Sequence, residues 1–157
     1  MRCSRRWDAQ WGGIDILVNC AGIDGVRAPA QDANMADWRG VIEINLLGAF
    51  DCAHHALARM LPQGRGVILN ISSVHEVIPV LAPGPGAIQT PINQSIWADP
   101  AAAADLLTKI PLGRMGKTSE IADMAVVLCS DIASYATGSK VTVDGGMTDC
   151  PEFARGG

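Results

Sequence analysis

The chain is poor in aromatic side chains, with one Tyr and two Phe among 157 residues, and poor in charge, with 18% Asp, Glu, Lys and Arg. Set against 48% hydrophobic residues, so little charge excludes a disordered chain and leaves a globular one. There is no basic excess: the net charge is -4, which excludes the electrostatic footprint of a nucleic-acid binder. The five cysteines are odd in number and contain no CxxC pair, so neither a disulfide framework nor a zinc site is indicated. Reduced thiols and a cytoplasmic setting are the expectation. No apolar run approaches the roughly 18 residues of a membrane span. The basic start, Met1 to Arg6, gives way to Trp7-Asp8-Ala9-Gln10 with no apolar stretch, which argues against a signal peptide.

What is present is small residues, 17 Gly among them, a composition that suits close packing of helices on a sheet. Length predicts a single domain over residues 1–157. Ile14 to Val18 is β-branched and apolar and predicts a buried strand, broken by Asn19-Cys20-Ala21-Gly22. A helix is predicted from Met35 to Met60, capped by Asn34 and ended by Pro62 and Gly64. Its apolar face carries Trp38, Val41, Ile42, Leu46, Leu57 and Met60, with Asn45 as the one polar member. Gly66 to Ile71 predicts a second buried strand. Asp99 and Pro100 open a short helix reaching Lys109, and Thr118 caps another over Ser119–Ser130, with Ile121, Met124, Ala125 and Leu128 facing inward. Lys140 to Val143 predicts a last strand. Strands alternating with helices predict an α/β layered domain with a parallel sheet.

One join conflicts with that architecture. If Val67–Ile71 and Val80-Leu81-Ala82 were consecutive parallel strands, only about eight residues would separate them. A parallel crossover needs a dozen or more. Pro79 and Pro83 also sit poorly in a central strand. Either Val77–Ala82 is not a parallel neighbour of the Gly66–Ile71 strand, or a crossover helix is missing between them.

Several short motifs, in order, resemble the short-chain dehydrogenase/reductase family, and most closely its glucose 1-dehydrogenase-like members. Asn19-Cys20-Ala21-Gly22 after a strand resembles the family's Asn-Asn-Ala-Gly. Asn45 falls where the family's helix carries a catalytic asparagine. Ile71-Ser72-Ser73 resembles the end of the strand that bears the catalytic serine, and Val74-His75-Glu76 follows it as in glucose dehydrogenase-like members. Pro85-Gly86-Ala87-Ile88-Gln89-Thr90 resembles the Pro-Gly-x-x-x-Thr loop beside the nicotinamide. Gly138 through Asp144-Gly145-Gly146-Met147-Thr148 resembles the family's C-terminal strand.

The resemblance implies an incomplete Rossmann-like, doubly wound domain with a partial parallel sheet. It implies an NAD(P)-dependent oxidoreductase exchanging hydride between a small alcohol or sugar hydroxyl and the cofactor. Ser73 and Asn45 would be the catalytic residues. Asn19, Ala21, Gly22, Pro85, Gly86, Ile88 and Thr90 would contact NAD or NADP, and His75 and Asp24 would lie in the substrate pocket. The neighbours His54 and His55 lack a metal-ligand spacing and are assigned to the surface.

Two departures limit the implied activity. The family's glycine-rich Thr-Gly-x-x-x-Gly-x-Gly turn, whose amides hold the cofactor pyrophosphate, has no counterpart here, which suggests truncation at the N-terminus. The Tyr-x-x-x-Lys pair is also lacking: Tyr135 is the only tyrosine, and Ser139 stands four residues on. Roughly thirty residues, the size of a βαβ crossover, are missing where the short join lies. Serine cannot take the place of a phenol as general acid/base near neutral pH, so weak or absent cofactor binding and impaired catalysis are expected. The alternative is a non-catalytic subunit that forms homo- or hetero-oligomers with full-length relatives. A third possibility is a fragment that never folds cooperatively.

Overall fold

The computed structural model describes residues 10, 12–26, 28–74 and 88–148. They fall into two compact units, one up to Ile71 and one from Ser72 onward. The predicted conformation of Val77–Pro83 lies outside the described residues.

In the first unit two short strands, β1 (Ile16–Asn19) and β2 (Val67–Asn70), pair in parallel, Ile16 opposite Val67 and Asn19 opposite Asn70. The ladder is extended at its ends by the Val67 amide donating to the Asp15 carbonyl and the Ile71 amide donating to the Asn19 carbonyl, both at 2.9 Å. Arg65 meets Asp15 at 2.9 Å across the entrance to the pair; both are exposed, so the bond contributes at most about 1 kcal/mol. The strands were expected to be buried, yet Ile16 and Val18 are 45% and 46% exposed. A parallel strand is buried only when layers cover both faces, and among the described residues this sheet has two strands.

Between the strands runs one helical stretch of three parts. α1 (Met35–Val41) starts at Asn34, whose side chain accepts the Ala36 amide at 2.8 Å. A π-helical segment follows over Ile42–Gly48, and α2 (Ala49–Gln63) completes the stretch and packs on β1. The end falls three residues beyond the expected Met60. Pro62 is accommodated in the last turn, and Gly64, left-handed at φ 65°, closes it with its amide donating to the Leu61 carbonyl. The expected apolar face is covered only in part: Ala56 and Met60 are buried, while Trp38, Ile42, Leu46 and Leu57 are exposed. Gly66 is required where β2 begins. Its φ is 147°, and a Cβ there would collide with the Met60 side chain.

The second unit is organised on Leu106, Ile110 and Met147, with Val74, Leu107 and Met115 packed against them. Its helices are α3 (Gln94–Trp97), α4 (Pro100–Leu107) and α5 (Thr118–Leu128). Asp99 caps α4 as expected, accepting the Ala101 amide at 2.9 Å. Thr118 is not the cap of α5; it is the first helical residue, and Lys117 holds the cap position. Lysine has no acceptor to offer. The helix start is held from the other side, by the Glu120 carboxylate accepting the Lys117 amide at 2.8 Å. Ile121, Met124, Ala125 and Leu128 are half-buried and Val126 is exposed, the polarity the sequence predicts for α5. The expected strand over Lys140–Val143 does not form, because no described strand lies beside it to complete a ladder. The chain instead turns at Asp144. This buried carboxylate accepts the amides of Gly146 and Thr148 and the Thr148 hydroxyl at 2.7–2.9 Å. Burial pushes its pKa up, but these bonds together outweigh burial and hold it below the ordinary value.

Candidate functional site

The loop that follows β1 is built by two asparagines. Asn19, the last residue of β1, donates its amide to the Asn70 side chain at 2.8 Å and to the Ala49 carbonyl at 3.3 Å. It thereby ties the ends of both strands to the start of α2, and both of its N–H donors are used within the fold. Asn45 accepts the Ile23 amide and donates to the Ile23 carbonyl, each at 2.9 Å. The polar residue that stood out on the apolar stripe is therefore a two-bond clamp on the loop of Cys20, Ala21, Gly22 and Ile23. Gly22 lies against it: a Cβ there would stand 3.4 Å from the Asn45 amide oxygen. The helix around Asn45 is π-wound, a form that recurs at functional sites and displaces side chains from the regular 3.6-residue face. Ala21, Gly22 and Asp24 are exposed along the same loop, and Asp24 is engaged in a polar interaction.

In the second unit Ser72 and Ser73 are exposed where the chain leaves β2, each in a polar contact, and Val74 anchors the segment on the core. His75, Pro85 and Gly86 lie outside the described residues. Ile88 forms a parallel bridge with Gly116, and Gln89 donates to the Gly116 carbonyl at 3.0 Å. Thr90 is held from the other side. The Asn93 amide oxygen accepts both the backbone amide and the hydroxyl of Thr90 at 3.0 Å, and Trp97 Nε1 donates to the Thr90 carbonyl at 2.9 Å. Sequence reasoning overlooked Asn93 and Trp97. The signal was the Thr90-x-x-Asn93 spacing of a reciprocal helix cap.

A shallow groove nearby is lined by Ile88, Leu112, Arg114, Glu120, Val143 and Asp144. Its cation is already taken: Arg114 grips Glu120 with two bonds of 2.7 and 2.9 Å. The Arg114 bonds and the Lys117 amide hold the Glu120 carboxyl at about 2. His54 and His55 lie edge to face at 5.4 Å, and His55 meets Asp51 at 3.6 Å. Among the described residues no three metal-ligating side chains gather.

A helical stretch linking two parallel strands defines an α/β protein of the Rossmann-like class. The chain belongs to the short-chain dehydrogenase/reductase family: the pattern of the short chain dehydrogenases matches residues 2–82, and that of an enoyl-(acyl carrier protein) reductase matches 78–148. It is an oxidoreductase-family protein by that membership.

It is similar to 3beta-hydroxysteroid dehydrogenase 1 of Eggerthella lenta, 39% identical over 181 residues that take in 93% of this chain and 68% of that one. That aligned span is longer than the chain itself, so the alignment passes over stretches of the relative that have no counterpart here. A crystal structure of a gluconate 5-dehydrogenase from Burkholderia cenocepacia, in complex with NADP and tartrate, superposes with a TM-score of 0.85 at 28% identity. It covers 95% of this chain and 70% of that one. A glucose/ribitol dehydrogenase from Brucella melitensis gives 0.79 at 28% identity, over 93% and 70%. No helix among the described residues is long and apolar enough to cross a membrane.

Proposed function

We propose that this chain is a catalytically impaired, glucose 1-dehydrogenase-like member of its family, one domain over residues 1–157, acting in the cytoplasm. The observation that carries the impairment is Tyr135. The only phenol of the chain is fully exposed, at 101%, with Ser139 where a lysine would have to stand. In the family's chemistry the phenol of the Tyr-x-x-x-Lys pair moves the proton, and a nicotinamide cofactor, when bound, takes or gives the hydride. Ser73 would hold the substrate oxygen, Asn45 would support the proton relay, and His75 and Asp24 would face a small sugar or alcohol. The Asn19–Gly22 loop, Pro85, Gly86, Ile88 and Thr90 would contact NAD or NADP. Affinity for either cofactor would be weak, because the family's lysine that holds the nicotinamide ribose has no counterpart after Ser73. Thermal unfolding with each oxidised and reduced cofactor tests this: a ligand at 100 times its Kd would stabilise the fold by about 2.7 kcal/mol. A shift of that size at low micromolar cofactor would refute weak binding.

A second reading, a non-catalytic subunit pairing with full-length relatives, is favoured by the uncovered helix face. Trp38, Leu46, Phe50 and Leu61 are 55–73% exposed along this helix, and apolar side chains left open together mark interaction surfaces. Light scattering after gel filtration separates the two: a stable monomer that captures no relative counts against the subunit.

A further inference from the structure

We propose that the Asp24-Gly25 step is a site of covalent backbone modification, where the loop after β1 converts aspartate to isoaspartate without an enzyme. The inference is independent of what that loop binds. The chain has two Asp-Gly steps, Asp24-Gly25 and Asp144-Gly145, and the fold treats them oppositely. A glycine after aspartate leaves the attacking nitrogen unshielded, since it carries no Cβ. The Gly25 nitrogen bonds to Asp24 Cγ, the Cγ–OH bond breaks, and the hydroxyl leaves as water with the former amide proton. Water then opens the cyclic imide. Opening at Cγ restores aspartate; opening at the Asp24 backbone carbonyl carbon leaves the chain running through Cγ, with the α-carboxylate as a branch. Water lost in the first step returns in the second, so the reaction needs no oxidant and no other co-reactant. It needs a carboxyl free to swing onto the next nitrogen and an amide not held elsewhere. Asp24 and Gly25 are both exposed, in a stretch with no regular structure. Asp24 has a polar interaction, and at an exposed site water replaces such a partner at small net cost. The Gly25 amide donates to no hydrogen bond among the described residues. Asp144 is the internal contrast. It is 7% exposed, and its oxygens accept the Gly146 amide, the Thr148 amide and the Thr148 hydroxyl. Its Cγ cannot turn onto the Gly145 nitrogen without breaking all three bonds. Packing favours the glycine at 25: a Cβ there would stand 3.2 Å from Val41 Cγ2. The product keeps the negative charge but lengthens the main chain by a methylene, one residue from Ile23, which Asn45 holds.

The test ages the full chain at neutral pH and physiological temperature, beside a second sample kept in denaturant. Samples taken over weeks are digested with trypsin. The peptides Trp7–Arg27 and Val141–Arg155 are separated by chromatography, and the altered residue is located by fragmentation in the mass spectrometer. In the folded chain isoaspartate is expected at Asp24. At Asp144 it should form at least about tenfold more slowly, because freeing that carboxylate breaks three hydrogen bonds. In denaturant the two steps should convert at similar rates. No isoaspartate at Asp24 in the folded chain, while the denatured chain converts, overturns the proposal. Equal conversion at Asp24 and Asp144 in the undenatured sample overturns it as well, since the fold would then not select the site. Asp24→Glu keeps the charge but would require a larger imide ring, so the signal from the first peptide should be lost. An undiminished signal in that variant would assign the product to another aspartate of the peptide and refute the assignment to Asp24.

Discussion

Replacing Asn45 with alanine removes both bonds that hold Ile23, the one to its amide and the one to its carbonyl. Each is 2.9 Å long, and a bond of this kind contributes a net 0.5–1.5 kcal/mol, to within a factor of about two. Asn45 is exposed, so water can take over part of both roles. The loss of global stability is therefore near the low end for the pair, about 1 kcal/mol. Locally the effect is easier to see. Opening of the Ile23 amide is opposed chiefly by the Asn45 acceptor, and about 1 kcal/mol changes an equilibrium roughly fivefold. Hydrogen exchange read by NMR should show Ile23 losing about that much protection, with the β2 amides unchanged. Asn45→Asp keeps an acceptor for the Ile23 amide while losing the donor to its carbonyl, so most of the Ile23 protection should survive. If Ile23 exchanges at the same rate in Asn45→Ala, the asparagine does not hold the loop.

Two further outcomes follow from the second unit. Leu106→Ala empties a site only 1% exposed between Ile110 and Met147 and should cost about 2–5 kcal/mol, read from denaturant unfolding; a loss under about 1 kcal/mol would mean that this cluster is not the core. Glu120 has a folded pKa lowered from 4.5 to about 2, so the stabilisation from its bonds to Arg114 and Lys117 is full above 4.5 and lost as pH falls through 2. A carboxyl NMR titration should give a midpoint near 2, and Arg114→Ala should return it towards 4.5; an ordinary midpoint in the wild type would show that the pair does not persist in solution.

The elements most legible in the sequence were those marked by local chemistry. Asn34 and Asp99 each announced a helix start, and each accepts the amide two residues on. β2 falls inside its predicted stretch, and β1 starts two residues later than expected and runs one residue past Val18, to Asn19. What local pattern could not reveal was whether anything lies alongside. Lys140–Val143 alternates like a strand but has no ladder to join, and the apolar face of the long helix is periodic whether or not a layer covers it. The π-winding over Ile42–Gly48 was hidden because one wide turn barely disturbs a stripe of 3- and 4-residue steps. Asn45 was visible as the odd residue on that stripe, but the Ile23 bonds come from a loop 22 residues away. Asn93 was missed because the Thr90-x-x-Asn93 spacing was read only as the end of a Pro-Gly loop. Its bonds turn that stretch into a rigid presentation of one hydroxyl.

Hydride transfer is the measurement to make first, following reduced-nicotinamide absorbance with NAD+ and NADP+ against a panel of sugars, polyols and simple alcohols. With no phenol–lysine pair, turnover is expected to fall below that of an intact active site by the 10²–10⁴-fold that a positioned acid/base contributes, and so to be indistinguishable from the blank at ordinary enzyme concentrations. Turnover of about 1 per second or faster, abolished by Ser73→Ala, would contradict this and show that another group in the chain moves the proton.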